Sequence, residues 1–188
     1  IPTYNEIENI ELLLRDIISL QQDFDVLVVD DNSPDGTAAE VEKLIEEYPD
    51  TLFLLKRNSK QGLGTAYIAG FKWALKKQYA FIFEMDADFS HNPKDLLRLY
   101  SACETENCDM AIGSRYVTGV NVVNWPMNRV LLSWGASKYV RWITGMKIDD
   151  TTAGFICYKR EVLEAINLDA IKFVGYAFQI EMKFKTYL

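Results

Sequence analysis

Histidine and cysteine are scarce in this chain, which has one histidine and three cysteines among its 188 residues. Cys103, Cys108 and Cys157 are odd in number and lack the paired spacing of metal ligands. This argues against a structural zinc site and a disulfide framework. The chain also lacks a Gly-x-x-x-x-Gly-Lys-Ser/Thr loop and a Gly-x-Gly-x-x-Gly turn after its first strand, which disfavours a P-loop NTPase and a dinucleotide-binding dehydrogenase.

Positive charge and long apolar runs are lacking as well. The formal net charge of -7 argues against a nucleic-acid partner. Residues 130–143 are the best candidate for a membrane segment, but they are too few to span a bilayer and include Lys138 and Arg141. With 49% hydrophobic residues, the chain suits one globular domain over residues 1–188. Because it opens at Ile1 without an initiator methionine and closes without a stop signal, we expect both ends to be cut.

Two carboxylates follow the apolar run at residues 79–85, in the triplet Asp86-Ala87-Asp88. In an extended segment residues i and i+2 project to the same side, so both carboxylates can reach one ligand. Mg²⁺ and Mn²⁺ bind one or two carboxylates and complete their shell with water and phosphate oxygens. Such a triplet alone is also typical of a solvated turn or a helix cap, so its context decides.

A second strand-like run, at residues 24–29, also ends in paired acids, Asp30 and Asp31. In open α/β sheets, ligands bind outside the carboxyl ends of the strands, so two acidic strand ends predict one crevice. Asp30 and Asp35 could instead cap the helix that follows, which suits Asp35 better. A sugar nucleotide held through a metal is the natural ligand, because its departing diphosphate builds up negative charge that a Lewis acid stabilises.

Strand and helix patterns alternate as far as about residue 115. Apolar residues recur at helical spacing after Asn5-Glu6, after Thr37 and after Gly62-Leu63-Gly64-Thr65, and Asn92-Pro93 has the sequence of a helix N-terminus. Residues 51–55 and 110–114 are strand-like. The alternation predicts an α/β fold with a mainly parallel, Rossmann-like sheet and helices on both faces.

The alternation breaks after about residue 116, where Trp125-Pro126 introduces a long helical segment. Leu131, Trp134, Lys138 and Trp142 lie on one stripe of it. An aromatic stripe is typical of a helix that faces a core, whereas the flanking basic residues favour a ligand surface.

Several motifs occur in order over nearly the whole chain. They are Pro2-Thr3-Tyr4-Asn5-Glu6, Val28 to Thr37, Gly62-Leu63-Gly64-Thr65-Ala66, Met85 to Pro93, Gly113-Ser114-Arg115-Tyr116, Asn124-Trp125-Pro126 and Gly154-Phe155. With them the chain resembles the family 2 glycosyltransferases of the GT-A fold, and most closely the dolichol-phosphate mannosyltransferase group. The resemblance implies inverting, Mg²⁺- or Mn²⁺-dependent transfer of a hexose from a sugar nucleotide to a polyprenyl phosphate. It implies mannose from GDP-mannose first and a UDP-glucose type of donor second, at the cytoplasmic face of a membrane.

The resemblance also implies residue roles on the donor side. Nucleoside or sugar-nucleotide binding falls to Pro2, Tyr4, Glu6, Asp31, Asp86 and Ala87, and metal binding falls to Asp86, Asp88 and Ser90. Ser90 stands where some members carry Gln, and we expect its shorter hydroxyl to act only through water. Glu6 is equally typical of the first turn of a helix. His91, the single histidine, is interpreted as a loop-positioning residue rather than a base.

The acceptor determines whether a base is needed. A polyprenyl phosphate is already ionised near neutral pH, whereas a hydroxyl must lose a proton in the transition state. By resemblance, Arg115 and Arg129 line the acceptor-phosphate site, with Arg160 a further candidate for phosphate binding. The catalytic candidates are therefore Asp88, Arg115, Arg129 and Asp150, the last as base if the acceptor is a carbohydrate hydroxyl. A catalytically silent sugar-nucleotide-binding domain is the alternative outside the enzymes.

Overall fold

The computed structural model describes residues 1–20, 22–106, 108–116, 127–175 and 177–188, with side chains between 127 and 133 left out. The strands are β1 (Pro2–Thr3), β2 (Val26–Asp30), β3 (Leu52–Lys56), β4 (Phe81–Glu84), β5 (Met110–Ile112) and β6 (Ile156–Lys159). The helices are α1 (Ile10–Ile18), α2 (Thr37–Glu47), α3 (Leu63–Lys77), α4 (Asp95–Thr105), α5 (Met127–Thr144), α6 (Arg160–Ala165) and α7 (Ala177–Tyr187), with a 3₁₀ turn at Leu168–Ala170.

The strands of the described residues form two three-stranded sheets. In the first, β2 lies between β1 and β3, and both pairings are parallel. In the second, β6 lies between β4 and β5 and runs antiparallel to both. The α/β class is confirmed, and the parallel arrangement holds for β1, β2 and β3. The second sheet is antiparallel because of β6. This strand follows the point near residue 116 where the strand–helix alternation stops, and it lies between β4 and β5, which belong to the alternating part of the chain.

Helices pack on both faces of the strands, as predicted. In one hydrophobic cluster, α1, α2 and α4 pack against side chains of β2 and β6, including Val28 and Cys157. The other joins α3, α6 and α7 to Ile156 and Tyr158 of β6. Successive side chains of a strand point to opposite faces, so β6 supplies residues to both cores and is buried on both sides.

The long helix α5 departs most from a core helix. Trp134 is 46% exposed and Trp142 is 82% exposed, and Tyr139 and Ile143 are exposed beside them. Lys138 places its ammonium 3.8 Å from the centre of the Trp134 ring, a cation–π contact. The described part of the predicted stripe, from Trp134 to Trp142, is therefore a surface and not a core, and the Leu131 side chain lies outside the described residues. None of the helices that the structure describes is long and apolar enough to cross a membrane.

The helix α4 begins at Asp95, two residues later than the Asn92-Pro93 pair indicates. Asn92 still performs a capping function, because its side-chain oxygen accepts a hydrogen bond from the Lys94 backbone N–H at 3.1 Å. The loop that carries the Asp-x-Asp triplet is thereby tied to the start of α4.

The close packing of α3 on α7 generates a stability prediction at Gly64. A Cβ atom at Gly64 would lie 2.7 Å from a ring carbon of Phe178, so Gly64→Ala forces α7 to shift and should destabilise the fold by about 1–3 kcal/mol. Gly135→Ala is the matched control, since no atom lies within 4 Å of the added carbon on exposed α5 and alanine favours the helix. Thermal unfolding should show a lower midpoint for Gly64→Ala only. Equal midpoints for the two variants would contradict the described α3–α7 contact.

Candidate active site

Two loops that follow neighbouring parallel strands are joined by side-chain hydrogen bonds. After β1, the backbone N–H groups of residues 5, 6 and 7 donate to side chains of the loop after β2. The acceptors are Ser33 Oγ at 3.0 Å, Thr37 Oγ1 at 3.0 Å and Asp35 Oδ2 at 3.1 Å, respectively. Ser, Thr and Asp suit these positions because their side-chain oxygens accept hydrogen bonds from backbone N–H groups that have no partner within the turn. The motif after β2 thus fixes the residues after β1.

The acids after β2 divide into supporting and cavity-lining residues. Asp30 is buried and accepts hydrogen bonds from the Thr3 hydroxyl at 2.9 Å and from the Ser33 backbone and hydroxyl. Asp35 accepts from the Thr37 backbone N–H at 3.0 Å just before α2, although the N-cap position itself is occupied by Gly36 and not by Asp35. Asp30 and Asp35 therefore shape the loop, and Asp31 is left to face a ligand.

A cavity of about 260 Å³ opens at the carboxyl ends of β1, β2 and β4. Most of the residues expected to bind the donor line it. They are Pro2, Tyr4, Glu6, Asp31, Asp86, Ala87 and Asp88. The remaining lining residues are Thr3, Lys60, Leu63 and Ala66. Sequence reasoning had assigned no role to these four.

Lys60 is the one cation among the residues that line the cavity. Its ammonium lies 4.0 Å from the centre of the Tyr4 ring. This geometry is a cation–π contact, and it holds a positive charge at the cavity mouth. The available signal was a lysine just before Gly62-Leu63-Gly64, since a diphosphate site in an acidic chain needs a local cation.

Asp31 is buried at the cavity wall beside Arg57. Nη1 of Arg57 lies 3.2 Å from Oδ1 of Asp31, and the Gln61 backbone N–H lies 3.4 Å from Oδ2. Nη2 of Arg57 in turn donates to Thr65 Oγ1 at 2.7 Å at the start of α3. Arg57 therefore orients the Asp31 carboxylate and supplies its counter-charge. This partner directly follows β3 and was missed, because nothing local in the sequence links residues 31 and 57.

The Asp-x-Asp triplet places its two carboxylates differently. Asp86 is half-buried, and its Oδ1 accepts a hydrogen bond from the Tyr67 hydroxyl at 2.7 Å. Asp88 is exposed, and its Oδ1 accepts from the Ser90 backbone N–H at 3.0 Å. Both line the cavity. Ser90 is not among the lining residues, and its observed contact is the backbone one to Asp88.

Negative charge is concentrated at this cavity. The pKa of Glu6 is raised, first by burial and then by the charges of Asp88, Asp35 and Asp86, against the opposing hydrogen bond from Asn9. Crowded carboxylates with oxygen donors only are the ligand chemistry that a hard divalent cation prefers, so the side chains present fit Mg²⁺ or Mn²⁺. Among the described residues, no three His, Cys, Asp or Glu side chains form a closed metal site. A cation here would complete its shell with water and diphosphate.

His91 lies behind the triplet and stacks on Phe155, with ring centres 4.9 Å apart. Its Nε2 is 3.9 Å from Oδ2 of Asp86, and its side chain is largely buried. The contacts are those of a residue that joins the triplet loop to the segment before β6. They agree with the interpretation of His91 as a loop-positioning residue.

Arg115 and Asp150 form a buried ion pair. Oδ2 of Asp150 accepts from the backbone N–H of Arg115 at 2.9 Å and from Nε at 2.8 Å, and Oδ1 accepts from Nη2. Nη2 also donates to Thr152 Oγ1 at 2.5 Å. Burial alone lowers the pKa of Arg115, but the hydrogen bond and charge of Asp150 more than offset it, so the pKa is raised. The pair joins the segment after β5 to the segment before β6.

The structure locates the side chain of only one of the other two arginine candidates. Arg129 belongs to α5, and its side chain is outside the described residues. Arg160 begins α6 and donates to the Leu75 carbonyl at 3.0 Å and to Glu164 at 2.6 Å, and its backbone N–H donates to Ala80 just before β4. It therefore lies at the opposite end of β4 from the cavity and holds α6 against the end of α3.

Sequence comparison identifies the family. Residues 1–166 match the model of glycosyl transferase family 2. The chain is 48% identical over 186 residues to the polyprenol monophosphomannose synthase of Mycolicibacterium smegmatis, covering 99% of this chain and 70% of that protein. It is also 48% identical to the undecaprenyl-phosphate mannosyltransferase of Micrococcus luteus, covering 99% of this chain and 75% of that protein.

Structural comparison supports the fold. Glucosyl-3-phosphoglycerate synthase from Mycobacterium tuberculosis, solved with Mn²⁺, UDP-glucose and phosphoglyceric acid, superimposes with a TM-score of 0.67 at 20% identity. The match covers 97% of this chain and 61% of that one. At this identity the likeness establishes the GT-A architecture alone. From the family match over residues 1–166 and the relatives at 48% identity, the chain belongs to glycosyl transferase family 2.

Proposed function

We propose that this glycosyltransferase domain transfers mannose from GDP-mannose to a polyprenyl phosphate, with inversion at the anomeric carbon and with a divalent cation. The observation that carries the proposal is a cavity at the ends of β1, β2 and β4, which is lined by the expected nucleoside residues and by Asp86 and Asp88 of the expected metal residues. The relatives at 48% identity, named as a polyprenol monophosphomannose synthase and an undecaprenyl-phosphate mannosyltransferase, support the sugar and the acceptor.

The donor side of the reaction belongs to this cavity. Asp31, held by Arg57, offers a charged acceptor for the N–H groups of a base, and the Tyr4 ring with Lys60 provides a cationic wall. Asp86 and Asp88 would hold the divalent cation beside the diphosphate. When bound, the cation supplies Lewis-acid stabilisation of the departing nucleoside diphosphate.

The acceptor side needs no proton transfer. An oxygen of the polyprenyl phosphate attacks the anomeric carbon in line, the bond to the diphosphate breaks, and the nucleoside diphosphate leaves with the electron pair. Arg115 contributes fixed positive charge for the acceptor phosphate, since a guanidinium binds phosphate oxygens without losing its proton.

The geometry of Asp150 counts against a hydroxyl acceptor. Its buried carboxylate accepts three hydrogen bonds from Arg115 alone, so its lone pairs are directed at that residue. A general base must instead have a free oxygen within reach of the proton it abstracts. We assign Asp150 the role of orienting Arg115. The silent-domain alternative is disfavoured because both carboxylates of the triplet face the cavity.

We further propose that the domain lies on the cytoplasmic face of the membrane through α5. The exposed surface formed by Trp134, Lys138, Tyr139, Trp142 and Ile143 combines large aromatic side chains with a basic one. Aromatic rings with a polar edge favour the headgroup region, and local cations are attracted to anionic lipid even when the whole domain is acidic. A polyprenyl phosphate is itself anchored in the bilayer. The acceptor and the α5 surface therefore both place the domain at the membrane surface.

The first prediction tests donor and metal. Purified protein should transfer mannose from GDP-mannose to a short polyprenyl phosphate in the presence of Mg²⁺ or Mn²⁺ and not after EDTA treatment. Asp88→Asn should stay folded but lose transfer by at least about 100-fold, because an exposed metal ligand is removed without a core contact. Asp95→Asn, a carboxylate outside the cavity, is the control. Full activity in EDTA would contradict the requirement for a divalent cation. A preference for UDP-glucose would contradict GDP-mannose as the donor.

The second prediction separates phosphate from hydroxyl acceptors. With a polyprenyl phosphate, Asp150→Asn should raise KM for the acceptor by roughly tenfold, because the carboxylate that orients Arg115 is lost, and should change kcat little, because no proton is abstracted. Were Asp150 a base, kcat itself would fall roughly 10²–10⁴-fold. Arg115→Lys should raise KM for the acceptor, since an ammonium lacks the bidentate fork. Arg98→Lys, at an exposed position of α4, is the control. Transfer to free sugars that depends on Asp150 would overturn the phosphate acceptor.

The third prediction concerns the α5 surface. Trp142→Ala should weaken binding to vesicles of anionic phospholipid by about tenfold, the order expected for removing one large apolar side chain from the interface. Leu12→Ala, which removes an exposed apolar side chain of α1, should leave vesicle binding unchanged. Co-sedimentation at several salt concentrations measures both. Equal effects of the two substitutions would exclude α5 as the membrane-facing surface.

A further inference from the structure

A lysine is buried beneath the candidate active site. Lys183 of α7 is fully inaccessible and follows Phe178 and Met182, which face the apolar core. Its ammonium donates to the Ala153 carbonyl at 2.6 Å, and it lies 3.3 Å from the carbonyl and 3.4 Å from the side-chain oxygen of Gln179. Taking an ammonium out of water costs several kcal/mol, so a lysine at this position needs compensating contacts.

Charged groups face Lys183 from three other elements. Glu84 of β4 is fully buried, and Asp150 and Arg115 belong to the segments before β6 and after β5. Burial lowers the pKa of Lys183 to about 8, with Glu84 and Asp150 opposing the effect and Arg115 adding to it. Burial raises the pKa of Glu84 to about 8, with the charge of Lys183 opposing the effect and the charge of Asp86 adding to it. Glu84 is therefore an electrostatic neighbour of Lys183 that is largely protonated near neutral pH, whereas the short contact of Lys183 is to Ala153.

The segment that Lys183 holds connects the two halves of the site. Asp150, at its start, binds Arg115 on the acceptor side. Gly154, at its end, adjoins the donor side, since a Cβ atom there would lie 3.4 Å from both Asp86 Oδ2 and Gln179 Nε2. The Ala153 carbonyl stands between these points and points to α7. A displacement of that carbonyl would move Arg115 relative to the triplet carboxylates.

We propose that Lys183 is a positioning residue that fixes residues 150–154, and through them Arg115, relative to the donor cavity. The proposal rests on the proposed function, because it takes Arg115 as part of the acceptor-phosphate site. It distinguishes two consequences of one buried cation. The attraction between Lys183 and Glu84 bears on the stability of the fold, whereas the bond to the Ala153 carbonyl sets the distance between acceptor and donor.

Two variants separate these consequences. Lys183→Met removes the ammonium but keeps most of the apolar side chain. It leaves the Ala153 and Gln179 oxygens without their donor and Glu84 without a nearby cation, so the melting temperature should fall. Adding Glu84→Gln removes the ionisable carboxyl, so the part of the loss that comes from a missing counter-charge should be recovered. Neither variant restores the bond to Ala153. Lys185→Met, an exposed lysine of the same helix, is the control.

The readout is the acceptor kinetics of folded protein, with circular dichroism used to choose the temperature. Both Lys183→Met and the double variant should lose roughly 10- to 100-fold in kcat/KM for polyprenyl phosphate, the scale expected when reacting groups are misplaced by about 1 Å. Calorimetry should show an unchanged dissociation constant for GDP with Mg²⁺ or Mn²⁺, because the lesion lies on the acceptor side. Lys185→Met should match the wild type in both measurements.

Other outcomes overturn specific claims. If the double variant regains transfer together with its melting temperature, Lys183 only neutralises Glu84 and the positioning role is wrong. Wild-type acceptor kinetics in folded Lys183→Met would likewise show that the positioning role is wrong. Weakened GDP binding in the double variant would also contradict the proposal, because the substitutions would then disturb the donor side of the site. A wild-type protein that transfers no mannose to polyprenyl phosphate would instead contradict the proposed function.

Discussion

The parallel pairing of β1 with β2 is the constraint on which the candidate site depends. It sets Thr3 opposite Asp30, and the Thr3 hydroxyl donates to the Asp30 carboxylate at 2.9 Å. Because of that register, β1 and β2 end at the same edge of the sheet, where Ser33, Asp35 and Thr37 bind the backbone of residues 5–7. A slip of one residue would turn Asp31 away from the cavity and break all of these bonds, because side chains alternate along a strand.

Charge at the site is arranged in two layers. Carboxylates of residues 6, 31, 86 and 88 line the cavity, where a cation and a diphosphate can neutralise one another. Behind them, Arg57, Arg115 and Lys183 are each engaged with an acidic or carbonyl oxygen from another segment. Removing one partner of such a buried pair leaves the other uncompensated, so these pairs specify loop positions more than they add stability. The acidic composition of the chain is thus compatible with the binding of phosphate-bearing substrates.

The ion pair of Arg115 with Asp150 changes the interpretation of both residues. From sequence, Asp150 had a second role as a base, and Arg115 had one as an isolated phosphate ligand. The structure joins them through a carboxylate that accepts two side-chain bonds and one backbone bond. An arginine held in this way keeps its orientation before the acceptor arrives, which reduces the entropy that binding must overcome. The pair therefore favours a chemistry in which fixed charge replaces proton transfer.

Sequence by itself determined the features that depend on neighbouring residues. These include the alternating strands and helices, the acids at the ends of β2 and β4, and the meeting of Asp31, Asp86 and Asp88 at one cavity. They were readable because strand and helix periods and loop chemistry are local, and because parallel strands bring their carboxyl ends to one edge. Only the tertiary structure decided the antiparallel insertion of β6, the exposure of the α5 stripe, the distant position of Arg160 and the burial of Lys183. Each of these follows from contacts between segments far apart in the chain, and no local pattern encodes which distant carbonyl or carboxylate a side chain will meet.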